Sequence, residues 1–395
     1  MTTFLAEWAN ILLRWAHLVA GIGWIGTSFY FIALDLQLKK RAIMNPGVYG
    51  TAWEVHGGGF YHVEKYMVAP KELPEDLIWY KWEAYLTFIT GFALLTVQYY
   101  FNARAYLIEP DLWNARPGDA ILVSIVSLAA GWFIYDRLLC RTAIGRNPTL
   151  LAVAVFALIM LFSYTFTHIY SGRGAFIHVG ALVGTIMAAN VFAVIVPNQK
   201  KIAASLMRGE DPDPALGAMG KQRSVHNNYL TLPVLLMMVS NHYPILTNHP
   251  QSWILVALIL VMGAMARHFL NRHEAGDPLQ KIWWTLPLAA GGLAVALVMT
   301  APAAREATVD GVRVTDADVL AITARHCATC HAEAPTHEGF AEAPKGVMLT
   351  SIDQIRQFAA LIDQQAVQSD AMPLGNETGM TAEERRALGA WIAAR

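Results

Sequence analysis

The chain has 395 residues, 55% of them hydrophobic and only 15% charged, with a mean hydropathy of +0.36. Water-soluble domains carry about 25% charged residues, so an ordinary soluble globule is excluded, and the same hydrophobicity excludes disorder. A net charge of −1, from 29 Lys+Arg against 30 Asp+Glu, argues against nucleic acid as a partner. Three cysteines cannot build a disulfide scaffold. The composition is that of a membrane protein with room for one soluble module.

Apolar runs near the ~20 residues that span hydrocarbon recur up to residue 301. They predict eight helices, over 11–34, 79–101, 119–138, 149–170, 174–196, 226–242, 252–270 and 282–301. Continuous runs without strict alternation mean helices, not a barrel. The sixth run is opened by Asn227 and Asn228 and interrupted by Pro233. Residues 1–10 hold Glu7 and no Lys or Arg, so the basic start of a signal peptide is missing. Lys39, Lys40 and Arg41 follow the first helix. Fifteen Lys and Arg fall in loops on that side of the bilayer and three, Arg104, Arg116 and Arg173, on the other. That bias places both termini outside the cytoplasm.

Ten of thirteen histidines precede residue 301, and ionisable groups inside a bilayer are functional candidates. Toward the outside lie Arg14, His17, His168, His178 and His242; toward the cytoplasm lie His56, His62, His226, His268 and His273. Neither group has a metal-ligand spacing. One reading of the outer group is a second, non-covalent b-type haem held by His17 with His178 or His242; the other is hydrogen bonding between helices.

The cytoplasmic side carries two unusual segments. Residues 53–66 include His56-Gly-Gly-Gly59-Phe-Tyr61 and Lys65, and the next helix opens Lys81-Trp-Glu83-Ala-Tyr85. Gly57 to Gly59 permit close backbone approach. Residues 223–229 read Arg223-Ser-Val-His226-Asn227-Asn228-Tyr229. Arg223 offers a planar charged fork, the asparagine amides can read the edge of a heterocycle, and Tyr61, Trp82 and Tyr229 can stack on it. A re-entrant loop with interfacial aromatics is the plainer reading. Gly21-Ile-Gly23-Trp-Ile-Gly26 matches the dinucleotide fingerprint, but no strand precedes it; close helix packing explains it better. Cys140 reads as an inert thiol.

Beyond residue 301 the chain turns to Ala, Glu, Asp, Thr and Arg, and contains Cys327-Ala-Thr-Cys330-His331. C-x-x-C-H is the sign of covalent haem c attachment: two thiols one turn apart add to the haem vinyl groups, and the next residue offers imidazole to iron. A helix over 315–325 leads into the motif, and Thr381-Ala-Glu-Glu384 is a capping box that starts a last helix. The pattern resembles the class I cytochrome c fold, with His331 as proximal ligand. Met372, in a loop stiffened by Pro373, is the expected distal ligand, with Met348, Met380 and nearby histidines as alternatives. A haem-bearing tail belongs outside the cytoplasm in bacteria, in agreement with the charge bias.

Taken together, the chain resembles the bacterial integral-membrane urate oxidase (urate hydroxylase) family. The resemblance rests on Trp15-Ala-His17-Leu and Gly23-Trp24-Ile-Gly26, the His56-Gly-Gly-Gly59 loop, Lys81 to Tyr85, Ile186-Met-Ala-Ala-Asn190, Pro197-Asn-Gln199, His226-Asn-Asn-Tyr229 and the haem motif. It implies an all-α fold with an eight-helix urate-oxidising domain (1–301) and a C-terminal cytochrome c domain (302–395), sited in the bacterial inner membrane with both termini periplasmic. It also implies oxidation of urate to 5-hydroxyisourate, with electrons leaving through haem c to a soluble cytochrome c or a terminal oxidase. Arg223, Asn227, Asn228 and Tyr229, with a base among Glu83, Lys65 and His226, would form the urate site. Electrons released at the cytoplasmic face must cross ~30 Å of hydrocarbon. Either a second redox centre lies between, or urate enters from outside near Arg14, His17, Gln98 and Asn241. A quinol-to-cytochrome c electron-transfer subunit without a purine site is the competing reading.

Overall fold

The computed structural model describes residues 2–67, 74, 76–301, 308–309 and 313–394. The expected boundary at 301/302 abuts residues outside that set. Six helices are long and apolar enough to cross a membrane, which makes this a multi-pass membrane protein: α1 (Thr2–Gln37), α3 (Pro117–Cys140), α4 (Pro148–Thr167), α5 (Gly172–Met207), α7 (Ser252–Glu274) and α8 (Leu279–Met299). Helices also form at the two other expected positions. These are α2 (Trp82–Leu95), which runs on through a π-helical turn to Tyr100, and α6 (Pro214–Val239).

A helix apolar on every face must be buried, and α5 is that helix. Phe176, Val179, Leu182, Val183 and Ile186 are fully buried, and α2, α3, α4 and α6 pack around it. α7 packs on α6 and α4, and α8 on α7. By contrast, Trp8, Ile11, Leu12, Trp15 and Leu18 of α1 stay exposed. Such a continuous apolar outer face suits hydrocarbon rather than water. α6 starts well before the expected residue 226, because the Asp213 carboxylate accepts from Ala215 N at 2.9 Å and Pro214 fills the first turn. Pro233 does not end it. Gly263 of α7 leaves room for the ring: a Cβ there would lie 2.6 Å from Pro233 Cδ.

The all-α expectation needs one correction. Residues 48–66 form an antiparallel hairpin, β1 (Val48–His56) and β2 (Gly59–Tyr66), with His56 opposite Gly59 and Trp53 opposite His62. Gly57 and Gly58 have φ of 60° and 80°, the paired positive values of a type I′ turn. They turn a chain. A Cβ on either would meet nothing within 4 Å, so they make no close approach. The hairpin is tied to the end of α1 by Lys65–Asp35 (2.6 Å) and by Tyr30 donating to Glu54 (2.6 Å).

The C-terminal segment has its own core of Val319, Ile322, Leu349, Ile355, Ile362, Met380, Leu388 and Trp391. Its first helix α9 (Asp316–His326) and last helix α10 (Ala382–Ala393) are joined by Trp391 Nε1 donating to Asp316 (2.7 Å) and by an Arg325–Glu384 pair (3.0 Å). The capping box at Thr381 is formed: its hydroxyl accepts from Glu384 N (3.2 Å), and the Glu384 carboxylate accepts from Thr381 N (2.9 Å).

Candidate functional site

Three groups of polar residues stand out. The first is the C-x-x-C-H segment, where the C-terminal end of α9 delivers Cys327 and Cys330. Burial pushes the Cys327 thiol up to about 11, the neighbouring Cys330 adding to the shift while Arg385 opposes it; burial also raises Cys330. Both shifts run opposite to the lowered thiol pKa of a redox dithiol. His331 Nδ1 donates to the Val347 carbonyl at 2.8 Å, which fixes the ring and leaves the Nε2 lone pair free. Met372 and Cys327 pack against the same apolar cluster, whereas Met380 is buried within it. Arg385 of α10 holds the Met372 loop by donating to Met372 O (2.6 Å) and Ala366 O (2.7 Å). His326 and His337 are engaged by Glu384 and Glu377. The donor set therefore fits a haem held by Cys327, Cys330, His331 and Met372.

The loop that carries Met372 is also the one that meets the membrane helices. A Cβ on Gly375 (φ 57°) would lie 3.1 Å from the Arg104 carbonyl oxygen. Asp370 accepts from Asn248, and Gln365 from Arg173 at 3.4 Å. Glu109 lies in the same contact. Burial first, then the Asp370 and Asp111 carboxylates, lift its carboxyl to about 7 against the pull of Arg385. Because this pKa is raised in the docked state, docking is strongest below the ordinary glutamate value and weakens as pH rises through about 7. Hydrogen exchange of residues 365–376, corrected for intrinsic rates, should show protection falling between pH 6 and 8, and no such fall in Glu109→Gln. A flat wild-type profile would contradict this reading.

The second group lies between α3, α5 and α6. Two π-helical turns, Ile134–Cys140 and Asn190–Ile195, bring Tyr135, Asp136 and Asn190 into it; such turns are frequent at functional positions. Arg223, 1% exposed, gives its charge to Asp136 at 2.7 Å and lies 5.1 Å from the Tyr135 ring centre. Asp136 also accepts from Arg141 at 2.8 Å. Asn190 donates to Tyr135 Oη (3.1 Å) and Asn227 Oδ1 (3.0 Å), and the Tyr135 hydroxyl is hydrogen-bonded to His226 Nδ1 (2.6 Å). The cation expected for a substrate anion is thus already matched by a carboxylate.

The third group lies between α6 and α7. Asn228 Oδ1 accepts from Asn271 (2.6 Å), and the Tyr229 hydroxyl bonds His268 Nδ1 (2.7 Å). Arg267 lies 3.8 Å above the Phe29 ring. Adjacent residues on one helix therefore serve different neighbours, Asn227 facing α5 and Asn228 facing α7. Lys65 and Glu83 join neither group: Lys65 is spent on Asp35, and Glu83 packs beside Gly23.

The three histidines expected to hold a membrane haem have different settings. His178 is fully buried with both ring nitrogens engaged, Nδ1 by Gly174 O and Nε2 by Ser124 Oγ, each at 2.6 Å. Its imidazole does not fit an iron ligand. His242 is exposed, with Arg14, Lys345 and Arg173 as electrostatic neighbours. His17 donates through Nδ1 to Thr87 O (3.0 Å), which leaves Nε2 free, and its ring fills the space beside Gly91. Among the described residues, no three His, Cys, Asp or Glu side chains are grouped to hold a metal ion. Sequence reasoning passed over Tyr135, Asp136, Arg267 and Asn271. Their signal was ionisable or amide groups inside helices that continue past the ends marked by hydropathy.

Residues 3–301 match the model of the urate oxidase N-terminal family. No curated protein and no solved structure matches the chain.

Proposed function

The chain belongs to the urate oxidase N-terminal family, and we propose that it oxidises urate within an eight-span membrane domain and passes the electrons to a haem c held by residues 302–395. The overall change is that urate takes up one water at ring carbon C5 and releases two electrons and two protons, giving 5-hydroxyisourate. Haem c, when bound through Cys327, Cys330, His331 and Met372, supplies a one-electron acceptor whose potential is raised by His/Met ligation. The remaining work falls to the chain itself. The buried polar residues of α6 and its neighbours bind and orient the purine away from bulk water. His226 and His268, each hydrogen-bonded through Nδ1 to a tyrosine hydroxyl, are the bases within reach of that core.

One observation carries this reading. The segment bearing Met372 packs against Arg104 and Asn248 in the connections between the urate oxidase-family helices, which supports electron transfer from that domain to a haem held beside Met372. The test is addition of urate to membranes containing the protein under anoxic conditions. Haem c should become reduced as urate absorbance is lost. Reduction by a quinol but never by urate would favour an electron-transfer subunit instead.

A further inference from the structure

Among the described residues, eleven buried side-chain polar atoms lack a hydrogen-bond partner, and five belong to four neighbouring residues on α6 and α7: Asn228 Nδ2, Arg267 Nε and Nη2, Asn271 Oδ1 and Glu274 Oε2. That concentration matters because buried polar groups are nearly always satisfied. Arg267 is the anomaly. It is 3% exposed, sits in a membrane-crossing helix, and forms no ion pair within 4.0 Å among the described residues. Phe29 covers one face of its guanidinium at 3.8 Å, which offsets only part of the cost of an unpaired buried charge. The contrast with Arg223 is direct: that buried guanidinium has Asp136 at 2.7 Å. Glu274, two turns along α7, and Tyr229 interact with Arg267 only through space.

Around Arg267 the unmet groups are mixed in kind. Asn271 lies one turn along the same face of α7, and its amide donates to Asn228 at 2.6 Å, so each asparagine keeps one unsatisfied atom, a donor on Asn228 and an acceptor on Asn271. A charge-bearing fork, an amide donor and an amide acceptor complement a flat anion whose edge alternates carbonyl oxygens with ring N–H groups. We propose that Arg267, Asn228 and Asn271 form the binding site for the planar heterocyclic anion, Arg267 pairing with its negative charge and the two amides reading its edge. The proposal rests on the urate reading above and moves the anion partner from Arg223 to Arg267.

The test uses detergent-solubilised holoprotein reduced with dithionite, so that urate binding is measured without turnover. Loss of a hydrogen-bonded ion contact should raise the urate Kd about 10- to 100-fold in Arg267→Gln, and less in Arg267→Lys, which keeps the charge. Asn228→Asp, which sets a carboxylate against the anion, should lose affinity similarly. A structural arginine would destabilise the fold when removed. Arg267→Gln should instead melt no lower than wild type without urate, and urate should no longer raise its melting temperature. Unchanged urate affinity in Arg267→Gln, or no urate binding by the wild type, overturns the site. The two readings fail separately. If the wild type binds urate through Arg267 while its haem c stays ferric with urate, oxidation is refuted and the site stands. If urate reduces haem c with an unaltered KM in Arg267→Gln, the site is refuted and oxidation stands.

Discussion

Replacing Cys327 and Cys330 together by alanine should remove the covalent porphyrin, and electron transfer from urate should fall to background while urate binding persists. The expectation follows from the sites the chain offers. Among the described residues no three His, Cys, Asp or Glu side chains are grouped to hold a metal ion, so the covalent tether proposed for C-x-x-C-H is the route by which iron would be held. Stability should change as well. Cys327, Val347 and Met372 pack on the edge of a small core, and a module of this size gains much of its stability from a bound cofactor. The C-terminal segment should therefore unfold at a lower temperature in the double variant, while the membrane helices keep their helicity. Pyridine haemochrome spectra and thermal melts followed by circular dichroism read the two effects. The same variant isolates any non-covalent haem: a residual b-type Soret band that disappears in His17→Ala would locate a second redox group at His17, whose Nδ1 is held by Thr87 O and whose Nε2 is free. Urate oxidation at wild-type rate in the double-alanine protein would show the cytochrome to be dispensable.

The sequence made the membrane helices readable because hydrocarbon imposes a length and a composition that few other constraints disturb. The C-x-x-C-H motif behind the proposed haem tether is legible for a similar reason: spacing alone brings two thiols and an imidazole to one turn. Other features depended on partners far along the chain. Asp136 lies near the end of its apolar run, yet a π-helical turn carries the helix on to Cys140 and points Asp136 inward to Arg223, 87 residues away. Arg267 lies near the end of its apolar run, where snorkelling is usual; its guanidinium is instead covered by Phe29 of α1, which no local pattern reports. The hairpin was missed for a different reason. Its Gly-Gly turn lies between alternating segments, a recognised hairpin signal, but three successive glycines read equally well as a loop that lets backbone approach a ligand.

The Asp136–Arg223 pair separates two accounts of the bundle, and its disruption should be the most damaging single change in the membrane part. Asp136 is fully buried and also receives Arg141, so Asp136→Ala strands a guanidinium that is itself 1% exposed and whose Nε already lacks a partner. Removing one member of a buried pair costs about 3–5 kcal/mol. Asp136→Ala should accordingly lower the midpoint of thermal inactivation far more than any urate-site variant. Asp136→Leu combined with Arg223→Met removes both charges and should recover most of the loss, since apolar replacement of a buried pair is close to neutral. If Arg223 were instead the cation that binds urate, freeing it from Asp136 would strengthen urate binding, and Asp136→Asn would show a lower Kd in a protein of normal stability. A destabilised Asp136→Asn with no gain in affinity, beside Arg267→Gln with normal stability and weakened binding, divides the two buried arginines between fold and substrate.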